Sequence, residues 1–191
     1  MQMLREYFNR FGDISPRDLD FLVDRCTEKT LEKGEQLIQP HQHVDSIYFI
    51  ASGFLHYFTH NEYGERVTLK VISPNNCWTI MDSFFHQKTT LDECQALTPV
   101  SYCELKRSDY SAVKLHNQDL ANFIQTVTEF ILSSKVVEEN KKSKLSVEER
   151  YVDLLQHHPD MVQQVPVNII ASYIGTSRET LHRIRRKLTA A

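Results

Sequence analysis

A chain of 191 residues is long enough for one large domain or two modest ones, each with its own core. With 22 Lys and Arg against 25 Asp and Glu, its formal net charge of −3 makes it no polycation, so any nucleic-acid contact has to be local. No N-terminal apolar stretch reads as a signal peptide, no run reaches membrane-spanning length, and Cys26, Cys77, Cys94 and Cys103 are scattered without a CxxC pair; the expectation is a bacterial-type cytoplasm, reduced thiols and no membrane partner.

Residues 1–11 place Leu4, Tyr7, Phe8 and Phe11 at helical spacing. Ser15-Pro16 reads as a helix start, with Ser15 as cap and Pro16 in the first turn, and Leu19, Phe21 and Leu22 bury one side of that helix. From about Cys26 to Lys106 the texture becomes β-prone. Short runs at 36–38, 46–50, 54–59, 66–72 and 100–105 are separated by turn signals at Lys33-Gly34, Ser52-Gly53, 61–64 and 73–76. Strands at this spacing predict a small antiparallel barrel or roll. One apolar segment, 78–85, interrupts them and is expected to be helical.

Residues 117–144 read as one long helix. Leu120, Phe123, Val127, Phe130, Ser134 and Val137 follow a heptad-like 3-4 spacing, with Ile124 and Ile131 beside it. This seam is expected to join two subunits, the alternative being packing on its own domain. It fades into the polar stretch EENKKSK, suited to a hinge. Ser146 and Glu149 then form a capping box for a helix carrying Tyr151, Val152, Leu154 and Leu155, and 157–166 is a connector with two prolines.

Residues 167–187 (VNIIASYIGTSRETLHRIRRK) carry the strongest functional signal. Ile170, Ala171, Ile174, Leu181 and Ile184 are placed for two short helices to pack together, Ala171 is small where they cross, and Gly175 suits a left-handed turn between them. Ser177 can cap the second helix. Leu181, Ile184 and Leu188 line one side of it, while Arg178, Glu179, His182, Arg183 and Arg186 fall largely on the other. Arg can fork onto guanine and Glu can accept from a cytosine amino group. A small residue, a glycine turn, a cap and a basic face together favour a DNA-reading helix-turn-helix over a solvated surface helix.

With these residues in view, the chain resembles the cyclic-AMP receptor protein and fumarate–nitrate reduction regulator (Crp/Fnr) superfamily over nearly its whole length. LEKGEQLI followed by SIYFIASGFL, the long helix before a hinge, and GTSRETLHRI carry the likeness. The resemblance implies an α+β chain. An N-terminal antiparallel β-roll of the cyclic-nucleotide-binding type (a double-stranded β-helix) would occupy 1–116, with its N-terminal helices. A dimerisation helix and hinge would occupy 117–144, and a helix-turn-helix of winged-helix type 145–191. It also implies a dimeric, sequence-specific transcription regulator with duplex DNA, a second copy and RNA polymerase as partners. The family's base-contacting Arg-Glu-x-x-x-Arg falls on Arg178, Glu179 and Arg183. Ser177 matches its phosphate-contacting cap, Thr180 and His182 are further candidates, and Arg185, Arg186 and Lys187 would add phosphate contacts.

The family pattern breaks in three places. Cyclic-nucleotide binders set a Gly-Glu pair and an Arg around a short helix of the roll, but CWTIMDSFFHQKTTLDECQAL contains no arginine. Leu91 stands near the phosphate-binding position, and Asp82 and Lys88 are only partial substitutes. An unneutralised phosphate there would be costly, so cyclic AMP is not expected and the effector is unknown, with Trp78, Asp82, Lys88 and Leu91 as candidate ligand contacts. His41 occupies a turn where the family commonly has glycine. The chain also stops at Ala191, just after the reader helix, so the wing is expected to be reduced or absent, with phosphate contacts coming from helix ends or the connector before Val167.

Other chemistries lack a signal. Cys26 stands alone where iron–sulfur members cluster cysteines. His41, His43, His56 and His60 read as ordinary loop histidines, so neither metal nor haem is expected. Trp78, Phe84 and Phe85 could line an apolar pocket but read as core. The sequence shows no GxGxxG, GxxxxGK, serine elbow or His-Glu helix pair, so no catalytic residue and no cofactor is assigned. The rival reading is a dimeric protein-interaction scaffold of the same fold with no specific DNA target.

Overall fold

The computed structural model describes residues 1–189, with the side chains of residues 138, 141 and 142 excepted; Lys141, within the expected hinge, and Ala191, at the expected missing wing, therefore fall wholly or in their side chains outside the described residues. Helix α1 (Gln2–Phe8) runs into a 3-10 turn (Asn9–Phe11) and is followed by α2 (Pro16–Val23). Ser15 caps α2, its Oγ accepting the Asp18 N–H at 3.1 Å. Eight strands follow: β1 (Cys26–Leu31), β2 (Gln36–Ile38), β3 (Ser46–Ser52), β4 (Leu55–His60), β5 (Arg66–Ile72), β6 (Cys77–Trp78), β7 (Glu93–Ala96) and β8 (Val100–Lys106). They pair antiparallel into two four-stranded sheets, ordered β1-β8-β3-β6 and β2-β7-β4-β5. Helix α3 (Met81–His86) interrupts them between β6 and β7.

Both faces of the two inner strands of the first sheet, β3 and β8, are covered, which explains their long apolar runs. On β3 and β8, Tyr48, Ile50, Val100 and Tyr102 point into the roll. Ile47, Phe49, Cys103 and Leu105 point out against helices. Aromatic rings pack among aliphatic side chains in the roll interior: Tyr48 stacks on Trp78 at 6.1 Å, Tyr57 meets Trp78 edge-on at 5.0 Å, and the Tyr57 hydroxyl donates to Asp92. His41, where a glycine was expected, does take the left-handed conformation (φ 66°), held by its N–H on Thr90 O at 2.6 Å.

Helix α4 (Arg107–His116) leads to α5 (Gln118–Lys144), whose start is fixed by Asn117: its Oδ1 accepts from Leu120 N at 2.7 Å, and its Nδ2 donates to Asp18. Here the seam expectation needs correction. Leu120, Phe123 and Val127 are buried within their own chain, in one core with Leu4, Phe8 and Phe49. The first half of α5 closes the outer face of the roll, so these three side chains pack within their own subunit. Phe130 (56 % exposed), Ser134 and Val137 (64 % exposed) do face outward, although the Phe130 ring also meets Phe11 at 5.0 Å. Leu132 and Val136 extend that exposed apolar stretch.

Four helices complete the described residues: α6 (Val147–His157), α7 (Pro159–Gln164), α8 (Val167–Tyr173) and α9 (Arg178–Thr189). The Ser146–Glu149 capping box opens α6. Pro159 opens α7 within what the sequence reads as a connector. The core of this region is not closed by its own helices alone. Phe54, Val71 and Leu97 of the roll pack in one cluster with Ile170, Ala171, Ile174 and Leu181. Because β5 is an edge strand, its outward N–H groups need partners; the Thr68 N–H donates to Ser172 Oγ of α8 at 3.1 Å.

Candidate nucleic-acid interface

The turn between α8 and α9 is built as the sequence requires. Helix α8 ends in a Schellman motif: Gly175 N–H donates to Ser172 O at 3.0 Å and Thr176 N–H to Ala171 O at 2.9 Å. Gly175 sits at φ 76°, where a side chain is strained, and a Cβ there would also stand 3.1 Å from Arg150 Nη1. Ser177 then caps α9 through Thr180 N–H at 3.2 Å. The N–H of Glu179 itself, and secondarily the Ser177 hydroxyl, hold the Glu179 carboxyl below the usual carboxylate range, so it stays ionised at the helix N-terminus.

Leu181 and Ile184 are buried against Ile170, Ala171 and Ile174, with Leu188 packed at the edge. This anchors one side of α9 and leaves Arg178, Glu179, His182, Arg183 and Arg186 exposed on the other, with Thr180 half-buried at its start. Arg178 Nε donates to His182 Nε2 at 3.4 Å. A protruding helix with three guanidiniums, an imidazole and a carboxylate on one face can make both base-edge and phosphate contacts.

Two candidates point elsewhere. Arg185 lies four residues after Leu181, so helical spacing turns it toward the apolar side. Its guanidinium carbon is 5.4 Å from the Tyr151 ring centroid of α6, and its Nε and Nη2 are buried without a hydrogen-bond partner among the described residues. Lys187 Nζ is held by both carboxylate oxygens of Glu148, each at 2.8 Å. Both residues join α9 to α6; Arg185 is turned inward, while Lys187 keeps its exposure beside Glu148.

The four candidate ligand contacts of the roll do not converge. Trp78 is buried among Tyr48 and Tyr57, and its other side borders a cavity of about 260 Å³ lined by Tyr7, Arg10, Asn75, Ile131 and Lys135. Asp82 and Lys88 pair with each other at 3.1 Å on the surface, and Leu91 is exposed. Phe84 is core, while Phe85 is partly exposed beside Tyr110. The histidines are likewise dispersed. His56 is buried and its Nε2 shares a hydrogen bond with Thr68 Oγ1 at 2.9 Å; burial, then the Arg66 charge, push its pKa down to about 4. His60 lies 3.4 Å from Glu93. No group of three or more metal-ligating side chains converges among the described residues. Burial raises the thiols of Cys26 and Cys77 to about 12.

Sequence reasoning missed a cleft of about 370 Å³ between α5, α6 and α8, lined by Ser134, Val137, Leu145, Arg150, Asp153 and Tyr173 among others. Within SVEERYVDLL, Arg150 looks like any solvated helix residue, and only the folded chain brings it to the turn before Gly175.

Residues 28–117 match the cyclic nucleotide-binding domain family. No curated protein matches the chain by sequence. Among solved structures, a candidate cyclic nucleotide binding protein from Ruegeria pomeroyi is similar over 100 % of this chain and 88 % of its own, with a TM-score of 0.71 and 15 % identity. The c-di-GMP-responsive global regulator CLP of Xanthomonas campestris is similar over 92 % of each chain (TM-score 0.68, 16 % identity). The catabolite activator protein of Thermus thermophilus is similar over 94 % of this chain and 86 % of its own (TM-score 0.55, 19 % identity). At these identities the likeness is one of fold. No described helix is long and apolar enough to cross a membrane.

Proposed function

We propose that this chain, which carries a domain of the cyclic nucleotide-binding family and has the Crp/Fnr fold, is a sequence-specific DNA-binding transcription regulator that acts as a homodimer. In this reading residues 1–116 form the sensor, 117–144 the dimerisation helix and hinge, and 145–191 the reader; the protein works in the cytoplasm and catalyses no reaction. The observation that carries the proposal is the exposed face of α9, where Arg178, Glu179, His182, Arg183 and Arg186 stand clear of the core on a helix capped by Ser177.

The N-terminal residues of a reader helix meet base edges. Arg178, Glu179 and Arg183 therefore specify sequence, while Ser177, Thr180, His182 and Arg186 grip or position on the backbone. The exposed half of α5 (Phe130, Ser134 and Val137, flanked by Leu132 and Val136) supplies the contact between subunits, and two readers then address a two-fold site. The apolar packing of the roll interior around Trp78 and the mutual pairing of Asp82 with Lys88 support an effector other than cyclic AMP. RNA polymerase is the partner through which a bound dimer would act.

The test is unbiased selection of DNA fragments by the purified full-length protein at physiological salt, with cell extract added to supply any effector. A two-fold motif with half-sites about one helical turn apart is the expected result. Recovery of no enriched sequence would leave the scaffold reading in its place.

A further inference from the structure

Arg150 stands one turn into α6, and its guanidinium is shared between two backbone carbonyls from different elements of the chain. Nε donates to Leu145 O at 3.0 Å, and Nη1 donates to Ile174 O at 2.6 Å. Leu145 is the junction between α5 and α6. Ile174 is the residue at which α8 ends, immediately before the left-handed Gly175 that launches α9. The side chain is half-buried in the wall of the cleft that also contains Val137, Leu154 and Tyr173.

Each bond has a physical reason. The last carbonyls of a helix lack intrahelical partners, and a charged donor satisfies them more strongly than a neutral one. The planar guanidinium fork also fixes the distance between its two acceptors, which a lysine ammonium, a single point charge on a flexible stem, does not. The missing Cβ of Gly175 leaves room for Nη1 to reach the turn.

The geometry points to Arg150 as a positioning residue for DNA recognition: it ties the end of the long helix to the turn that carries the reader, so that the direction of α9 follows the direction of α5. The inference rests on the DNA-binding dimer proposed above. Arg150 lies behind the reader, bonded to main chain, and acts through the placement of Arg178, Glu179 and Arg183. In a dimer this placement sets the separation and relative rotation of two reader helices. Each base pair inserted between half-sites moves them by about 3.4 Å and rotates them by about 35°. A rigid tie makes binding sensitive to that spacing, and a loose one tolerates it.

The experiment measures full-length wild-type, Arg150→Ala, Arg150→Lys and Arg150→Gln protein by fluorescence anisotropy at fixed salt. The probes are the selected two-fold site, the same site with its spacer lengthened or shortened by one and two base pairs, and an isolated half-site. Wild type is expected to lose affinity steeply with spacer change, within the ordinary coupling range of about 5- to 150-fold. The variants should bind the half-site as wild type does and show a flattened spacer profile, with Arg150→Lys between wild type and Arg150→Ala. A merely smaller folded fraction would instead weaken every probe by one factor.

A steep profile retained in folded variants, or equal losses on half-site and full site, would overturn the role of Arg150 and leave the DNA reading intact. Should Arg150→Ala fail to fold by circular dichroism, the other two variants carry the comparison. If none of the three folds, the residue is structural and the positioning role is refuted. Wild-type protein that selects no DNA refutes the regulator reading itself.

Discussion

The backbone N–H of Thr68 donates to the hydroxyl of Ser172 across 3.1 Å, joining the edge strand of the roll to α8 of the reader, 104 residues further along the chain. Around this bond Phe54, Val71 and Leu97 share a core with Ile170, Ala171 and Ile174, so sensor and reader are expected to melt together. Ser172→Ala should cost about 1 kcal/mol. Trp78, the only tryptophan, reports on the roll by fluorescence, and far-UV circular dichroism reports on the helices. Both urea midpoints should fall together. A shift in the dichroism alone would show that the two cores unfold independently.

Gly175→Ala combines a left-handed backbone with a Cβ 3.1 Å from Arg150 Nη1. A loss of about 1–2 kcal/mol is expected from the backbone conformation, and more where the guanidinium cannot yield. Chemical denaturation measures it, and no measurable loss would contradict the turn described here.

The reader face and its back should respond differently to substitution. Arg183→Ala should weaken the selected site far more than random DNA, while Arg186→Ala should weaken both by similar factors. Arg185 has buried nitrogens without hydrogen-bond partners among the described residues and points at Tyr151, so Arg185→Leu should leave DNA affinity unchanged and raise stability by about 1 kcal/mol. Titrations of the three variants at one salt concentration, with thermal melts, check the set.

His56 makes stability depend on pH. Its folded pKa, about 4, lies below the ordinary value of 6.5, so the unfolded chain binds the proton first. Stability from this group is full above about 6.5, falls as pH drops toward 4 and changes little further below. Between pH 7 and 5 the loss is about 2 kcal/mol. Urea melts of wild type and His56→Gln should show that slope only in wild type.

Much of the fold was legible because its signals are local. Strands β2 and β5 fall on the expected runs 36–38 and 66–72, and Ser15, Ser146 and Gly175 act as the cap and turn residues their chemistry suggests. No run predicts β1, β6 or β7, and Trp78, read as helical, belongs to β6. CTEKTL forms an edge strand with its polar side chains outward, and ECQA lies between β2 and β4, where pairing replaces apolar alternation as the stabilising feature. Helix α4 buries little beyond Val113 and carries a weak pattern, and Pro159, read as a connector residue, opens α7. At the site, the outward set on α9 followed from spacing. The inward turn of Arg185 was also in the spacing, four residues from Leu181, but its charge suggested a phosphate. The seam on α5 is periodic throughout. Its division into a half buried by α1 and a half left bare depends on where the N-terminal helices dock, which no local pattern states.

The cover that α8 places over β5 has a consequence for handling pieces of this protein. A fragment cut after α5 would bare the strand's main-chain donors together with Phe54, Val71 and Leu97, a template for cross-molecule sheet extension. The reader therefore doubles as a stopper that protects solubility, and the isolated sensor should precipitate at concentrations the intact protein tolerates.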